Sequence, residues 1–160
     1  MLRFLSKSTR SLTVMGLVLL GSLPALAQTA LFENLVVPSE PSTQSFSVEG
    51  FTAGFYSLTN IVNRDSDGNF CLGFADSTPD HILVLEQDLA DLTLQVDSGG
   101  QSTTLLVQGP DNNTVRCAAG TRREPDAILQ DTDWLAGSYR VWVGAFEQGD
   151  RYDYVLSATP

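Results

Sequence analysis

Positive charge and metal-binding side chains are scarce in this sequence. Its 160 residues hold one histidine, two cysteines and nine Lys or Arg against nineteen Asp or Glu. Lys7 is the sole lysine, so beyond residue 27 the cations are six arginines facing all nineteen acids, a net charge near −13. Such a surface repels phosphate backbones, which nucleic-acid binders neutralise with clustered cations, and it resists anionic lipid in the same way. His81, Cys71 and Cys117, with no CxxC spacing, do not make a zinc site. A single histidine also leaves little for general acid and base work, and no catalytic constellation can be assembled. A run of about 20 apolar residues, the length a spanning helix needs, is missing too.

The longest apolar stretch, 12–23, follows Arg3, Lys7 and Arg10 and precedes Pro24 and Ala25-Leu26-Ala27. Basic start, short apolar segment and small-residue site are the layout of a cleavable signal peptide. The expected division is a signal peptide at 1–27 cut before Gln28, an N-terminal lead-in at 28–42, and one domain at 43–160. The expected location is secreted or periplasmic, with no stable membrane insertion after cleavage. In an oxidising compartment two cysteines pair by default, so a Cys71–Cys117 disulfide is expected.

The rest reads as strands and turns. In Asp91-Leu92-Thr93-Leu94-Gln95-Val96-Asp97 every second residue is apolar, the period of a half-buried strand, and Ser98-Gly99-Gly100 ends it. Further strands are expected at 45–49, 54–60, 70–75, 81–86, 103–108, 115–118, 127–130, 139–146 and 152–158, with a short edge strand within 31–37 and one helical turn at 88–91. Eight to ten short strands with frequent turn signals indicate an all-β chain folded as a two-sheet, jelly-roll-like β-sandwich.

Cys71-Leu72-Gly73-Phe74, the run from Thr103 to Pro110, Cys117, and the run from Ala136 to Gly144, in that order, resemble the pre-peptidase C-terminal domain. The resemblance spans roughly 45–159. It implies a jelly-roll sandwich that serves as an accessory or binding module and not as an enzyme. Many such domains carry acids after the second cysteine that could help hold calcium; here Ala118 and Ala119 stand there.

Three local patterns bear on function. Asp97-Ser98-Gly99-Gly100 looks like the surroundings of a serine nucleophile, but the sole histidine, His81, lies 17 residues upstream with no long segment to build a cleft, so a glycine-rich turn is the expected reading. Asn63, Asp65 and Asp67, with Gly68, match the opening half of a calcium loop, whereas Phe74 stands where the closing carboxylate belongs. A plain turn uses the same residues, so at most a weak calcium site is expected, with Asp76 as a conceivable borrowed ligand and no other cofactor. In the strand at 139–146, Trp142 and Phe146 share one face and are candidate surface contacts, unless that strand is central and covered on both sides. Together these features predict an exported, non-enzymatic module for an unidentified extracytoplasmic protein or polysaccharide, with a calcium-dependent module as the alternative and a hydrolase-associated fragment behind it.

Overall fold

The computed structural model describes residues 29–39 and 44–160. The expected signal peptide, its expected cleavage point and residues 40–43 lie outside the described residues. Within them the chain forms eleven strands in two sheets, the all-β sandwich expected. The count exceeds eight to ten because short edge pieces pair as well.

One sheet contains seven strands: β1 (Leu35–Val37), β3 (Tyr56–Ser57), β4 (Phe74–Ala75), β5 (His81–Leu85), β7 (Thr103–Gln108), β8 (Val115–Ala119) and β10 (Gly137–Ala145). β10 is central, antiparallel to β5 and β4 along one edge and to β7 along the other, and β8 closes the sheet beyond β7. β1 adds in parallel to β5. The other sheet runs β2 (Phe46–Phe51), β11 (Asp153–Thr159), β6 (Leu89–Asp97), β9 (Ile128–Trp134), all antiparallel.

The main core lies between the sheets. Alternation turns Leu92, Leu94 and Val96 of β6 and Tyr154, Leu156 and Ala158 of β11 inward, against Leu105, Val107, Tyr139, Val141 and Val143 of the larger sheet. The side of the sandwich between β8 and β9 is closed by Arg116, which pairs with Asp131 and lies 4.1 Å from the Trp134 ring.

A second core covers the outer face of the seven-stranded sheet. Leu106 stands opposite both Cys117 and Trp142, making a row across β8, β7 and β10. Leu58, Cys71 and Ala75 from the segment 56–75 pack on that row, with Ile61 and Val62 at its margin. The Cys71–Cys117 disulfide forms as expected, with Cα atoms 5.3 Å apart, and ties the covering segment to β8. Closing a loop of 46 residues contributes about 4 kcal/mol in the chain-entropy account.

This cover changes several sequence expectations. Trp142 is 3% exposed, so it is not a surface contact: β10 is covered by the other sheet on one face and by segment 56–75 on the other. Phe146 is half-buried, beside a hollow of about 430 Å³ shared with Ser102, Thr121 and Glu147. The strand expected at 54–60 keeps two residues and then tightens into a 3-10 turn at Leu58–Asn60, which lets Leu58 reach the second core. The strand expected at 70–75 shrinks to β4 because Gly73 takes a φ of +103°, where any Cβ would collide with Thr104 Oγ1. The helical turn expected at 88–91 is absent. Asp88 there accepts the Ala136 N–H at 2.7 Å, and β6 has begun by Leu89.

A polar group sits inside one end of the sandwich. His81 bridges the sheets: its Nδ1 lies 2.7 Å from the Glu33 carbonyl and its Nε2 2.9 Å from the Tyr154 hydroxyl. A carbonyl can only accept, so Nδ1 carries the proton and Nε2 accepts from Tyr154. Burial pushes the His81 pKa down, against the opposing pull of the Glu33 carbonyl and charge. Beside it Asp80 accepts the Val143 N–H at 2.8 Å, which extends the β5–β10 ladder through a side chain. Burial raises the Asp80 pKa to about 7, opposed by that hydrogen bond and assisted by the charge of Asp76. The Tyr154 hydroxyl is pushed up by burial and then by Asp80.

Asp80 therefore stabilises the fold fully below its unfolded value of 3.8, and that contribution fades until pH passes about 7. His81 runs the other way, its contribution complete above 6.5 and lost as pH falls through its lowered folded value. In urea unfolding, the stability of the native protein relative to Asp80→Asn should fall by roughly 2 kcal/mol between pH 5 and pH 8. A difference that stays flat over that range would show that Asp80 is not held in this buried state.

Candidate functional site

At one end of the four-stranded sheet, β2 finishes, β11 begins and β6 runs out into its turn. The three strand ends and the segment before β1 enclose an open cleft of about 770 Å³, lined by Phe32, Glu49, Phe51, Asp97, Asp153 and Val155 among others. Gly50 and Tyr154 form its floor. A Cβ at Gly50 would lie 2.5 Å from the Tyr154 hydroxyl, so only glycine lets that tyrosine pass beneath β2 to His81. Phe32 and Phe51 meet edge to face with centroids 4.8 Å apart, and the Arg151 guanidinium lies 3.3 Å from the Phe51 centroid.

Polar groups converge on this cleft from the outer face of the sheet. Val155, 38% exposed, is paired with Glu49 on one side and Asp97 on the other, and Asp153 is paired with Phe51. Asp97 accepts the Gly99 N–H at 3.1 Å. The carboxylates of Glu49 and Asp153 have no hydrogen bond or ion pair among the described residues. Among the described residues nothing covers Val155, in contrast to the Leu106 row behind the disulfide.

Ser98, at the cleft's edge, is held by its own turn. Its hydroxyl bonds to the Asp126 carboxylate and, at 3.0 Å, to the Gln101 carbonyl, while its N–H reaches Asp126 at 2.9 Å. The histidine that a serine nucleophile needs is occupied elsewhere, since both His81 ring nitrogens are bonded to Glu33 and Tyr154.

The loop holding Asn63, Asp65 and Asp67 is a separate feature on the disulfide side. Asp65 Oδ1 accepts the N–H groups of Asp67 at 3.0 Å and Asn69 at 2.8 Å, and Oδ2 accepts the Asn69 side chain at 3.0 Å and the Cys117 N–H at 3.4 Å. Asn63 supplies its carbonyl to Cys71 N–H at 3.2 Å. Phe74 lies in β4, opposite Ser57 and Ala145. Asp65 and Asp67 share a hollow of about 220 Å³ with Arg116 and Asp131. Among the described residues no group of three or more His, Cys, Asp or Glu could hold a metal ion. What the arrangement does is pin the covering segment to β8 next to the disulfide.

Sequence reasoning singled out none of Glu49, Phe51, Asp97 and Asp153 as a site. The signal was the polar half of each alternating strand, which shows which residues leave the core but not which neighbouring strands bring them together.

Comparison with known proteins adds little. No family model matches the sequence, and no curated protein matches it. Among solved structures, PliG of Aeromonas hydrophila, a periplasmic lysozyme inhibitor of g-type lysozyme, aligns over 79% of this chain and 97% of its own at 12% identity and a TM-score of 0.39. Among the described residues no helix is long and apolar enough to cross a membrane.

The Asp65 geometry sets an expectation for the loop. Asp65→Ala strands several N–H groups and should cost about 1 to 2 kcal/mol of stability in urea unfolding. With that carboxylate engaged by the loop itself, 1 mM calcium should move the melting temperature of the native protein by less than about 2 degrees relative to chelator. A larger shift that vanishes in Asp65→Ala or Asp67→Ala would make the loop a metal site.

Proposed function

We propose that this chain is an exported, non-enzymatic β-sandwich module of the pre-peptidase C-terminal type, which binds an extracytoplasmic protein or polysaccharide through the outer face of its four-stranded sheet. The observation that carries the reading is the inequality of the two outer faces. The outer face of the seven-stranded sheet is sealed over β8, β7 and the C-terminal half of β10 by segment 56–75 and a disulfide, while the face around Val155 stays open and ends in an aromatic and acidic cleft. A concave site with aromatic walls and a few converging polar groups is the usual form of a recognition site. Export is supported by the signal-peptide pattern at 1–27 and by the disulfide, which belongs to oxidising compartments. The non-enzymatic reading is supported by the engagement of Ser98 and His81 in separate structural bonds.

Photocrosslinking in the exporting cell tests the reading. With p-benzoylphenylalanine in place of Val155, discrete adducts should form; with the same group in place of Tyr56, on the covering segment, they should not. Equal adducts from both positions, or none from Val155, would overturn the assignment of the face. Labelling by an active-site serine probe that disappears in Ser98→Ala would overturn the non-enzymatic reading.

A further inference from the structure

Charge is divided between the two sheets. The strands of the four-stranded sheet contain Glu49, Asp91, Asp97, Asp131, Asp133 and Asp153 and no Lys, Arg or His. The strands of the seven-stranded sheet contain Arg116, Arg140 and His81 and no Asp or Glu. Solubility requires net charge but no such division.

The open face concentrates this asymmetry at the cleft. Glu49 and Asp97 flank Val155 across three adjacent strands, so their Cα atoms stand about 10 Å apart with one exposed apolar side chain between them. Asp153 lies two residues along β11 on the same face, next to the Phe51 ring. Among the described residues no ion pair answers these acids: the one ion pair is Arg116–Asp131, and Arg151 is turned onto Phe51. The Arg151 stack also shows that the aromatic wall accepts a guanidinium.

We propose that the open face of the four-stranded sheet docks a cationic protein surface, seating a lysine or arginine side chain over Val155 between Glu49 and Asp97 with its stem against the aromatic end of the cleft. The inference rests on the binding role proposed above and chooses a protein partner over a polysaccharide. Three carboxylates on a bare sheet face complement the full charge of ammonium and guanidinium groups, whereas a neutral glycan would meet them only through hydroxyl hydrogen bonds and leave their charge unanswered. Attraction of this kind steers encounter and weakens as salt screens it, over a Debye length of about 8 Å at physiological ionic strength.

Octa-arginine is a suitable probe, titrated into the disulfide-bonded chain beginning at Gln28 and followed by amide NMR shifts at low salt. The shifts should centre on Gly50, Phe51, Asp97 and Val155. Glu49→Gln/Asp97→Asn should weaken binding at least tenfold, while Glu124→Gln/Glu147→Gln, which removes the same charge from exposed loop positions, should change it less than twofold. Equal losses in the two variants would show attraction to net charge alone and overturn the proposal. So would shifts centred elsewhere, no binding, or a cellohexaose probe that perturbs this face when octa-arginine does not. Val155 crosslinks that persist while octa-arginine fails would leave the binding role standing and remove the cationic partner, whereas loss of the crosslinks removes the binding role itself.

Discussion

The row formed by Cys117, Leu106 and Trp142 has to be kept from water on the side away from the main core. Every residue of β7 is buried, and so are the last five of β10, so these strands need cover on both faces. The four-stranded sheet supplies one cover. Segment 56–75 supplies the other, and it is irregular: two short strands, a 3-10 turn and a glycine-hinged return. Such a segment is held down by cross-links more than by a ladder. The disulfide and the Asp65 hydrogen bonds do that work, which gives the cysteines and the calcium-like loop a single structural purpose.

The same constraint decides where recognition can occur. Once the larger sheet is covered on both faces over β8, β7 and the C-terminal half of β10, the outer face of the smaller sheet is the broader β-surface left open, the other being the β1–β5 edge around Val36. Its strands need only one apolar face, which is why β6 and β11 alternate cleanly and why their polar halves are free to carry acids. At the cleft end this surface meets the buried polar group, because Tyr154 is both floor of the cleft and partner of His81. The floor is thus anchored from below by a hydrogen bond that spans the sheets.

How much of this was legible in the sequence depended on the strand. β6 and β11 were readable because one face of each is wet. β10 was less so, since a strand buried on both faces carries apolar residues at both parities, and the pattern alone leaves Trp142 either a surface contact or a covered residue of a central strand. The pairing of Cys71 with Cys117 followed from their number and compartment, but its role in holding a second core did not, because that depends on which segment lies over β7. Asp65 and Asp67 were recognised as a turn or a metal loop; the choice depends on where the Asp65 carboxylate points, which composition does not encode. The cleft acids come from three strands far apart in the chain, and their meeting is set by the β2–β11–β6 order.

The central claim is that the outer face over Trp142 is sealed and the one around Val155 open, and hydroxyl-radical footprinting of the oxidised protein tests it most directly. Tryptophan reacts much faster than valine in solution, so burial has to reverse the intrinsic order. The account predicts that Trp142 stays unmodified while Val155 and Phe51 are oxidised, and that reducing the Cys71–Cys117 bond makes Trp142 reactive. Trp142 oxidised at the rate of an open peptide in the disulfide-bonded protein, or Val155 protected in the isolated chain, would contradict it.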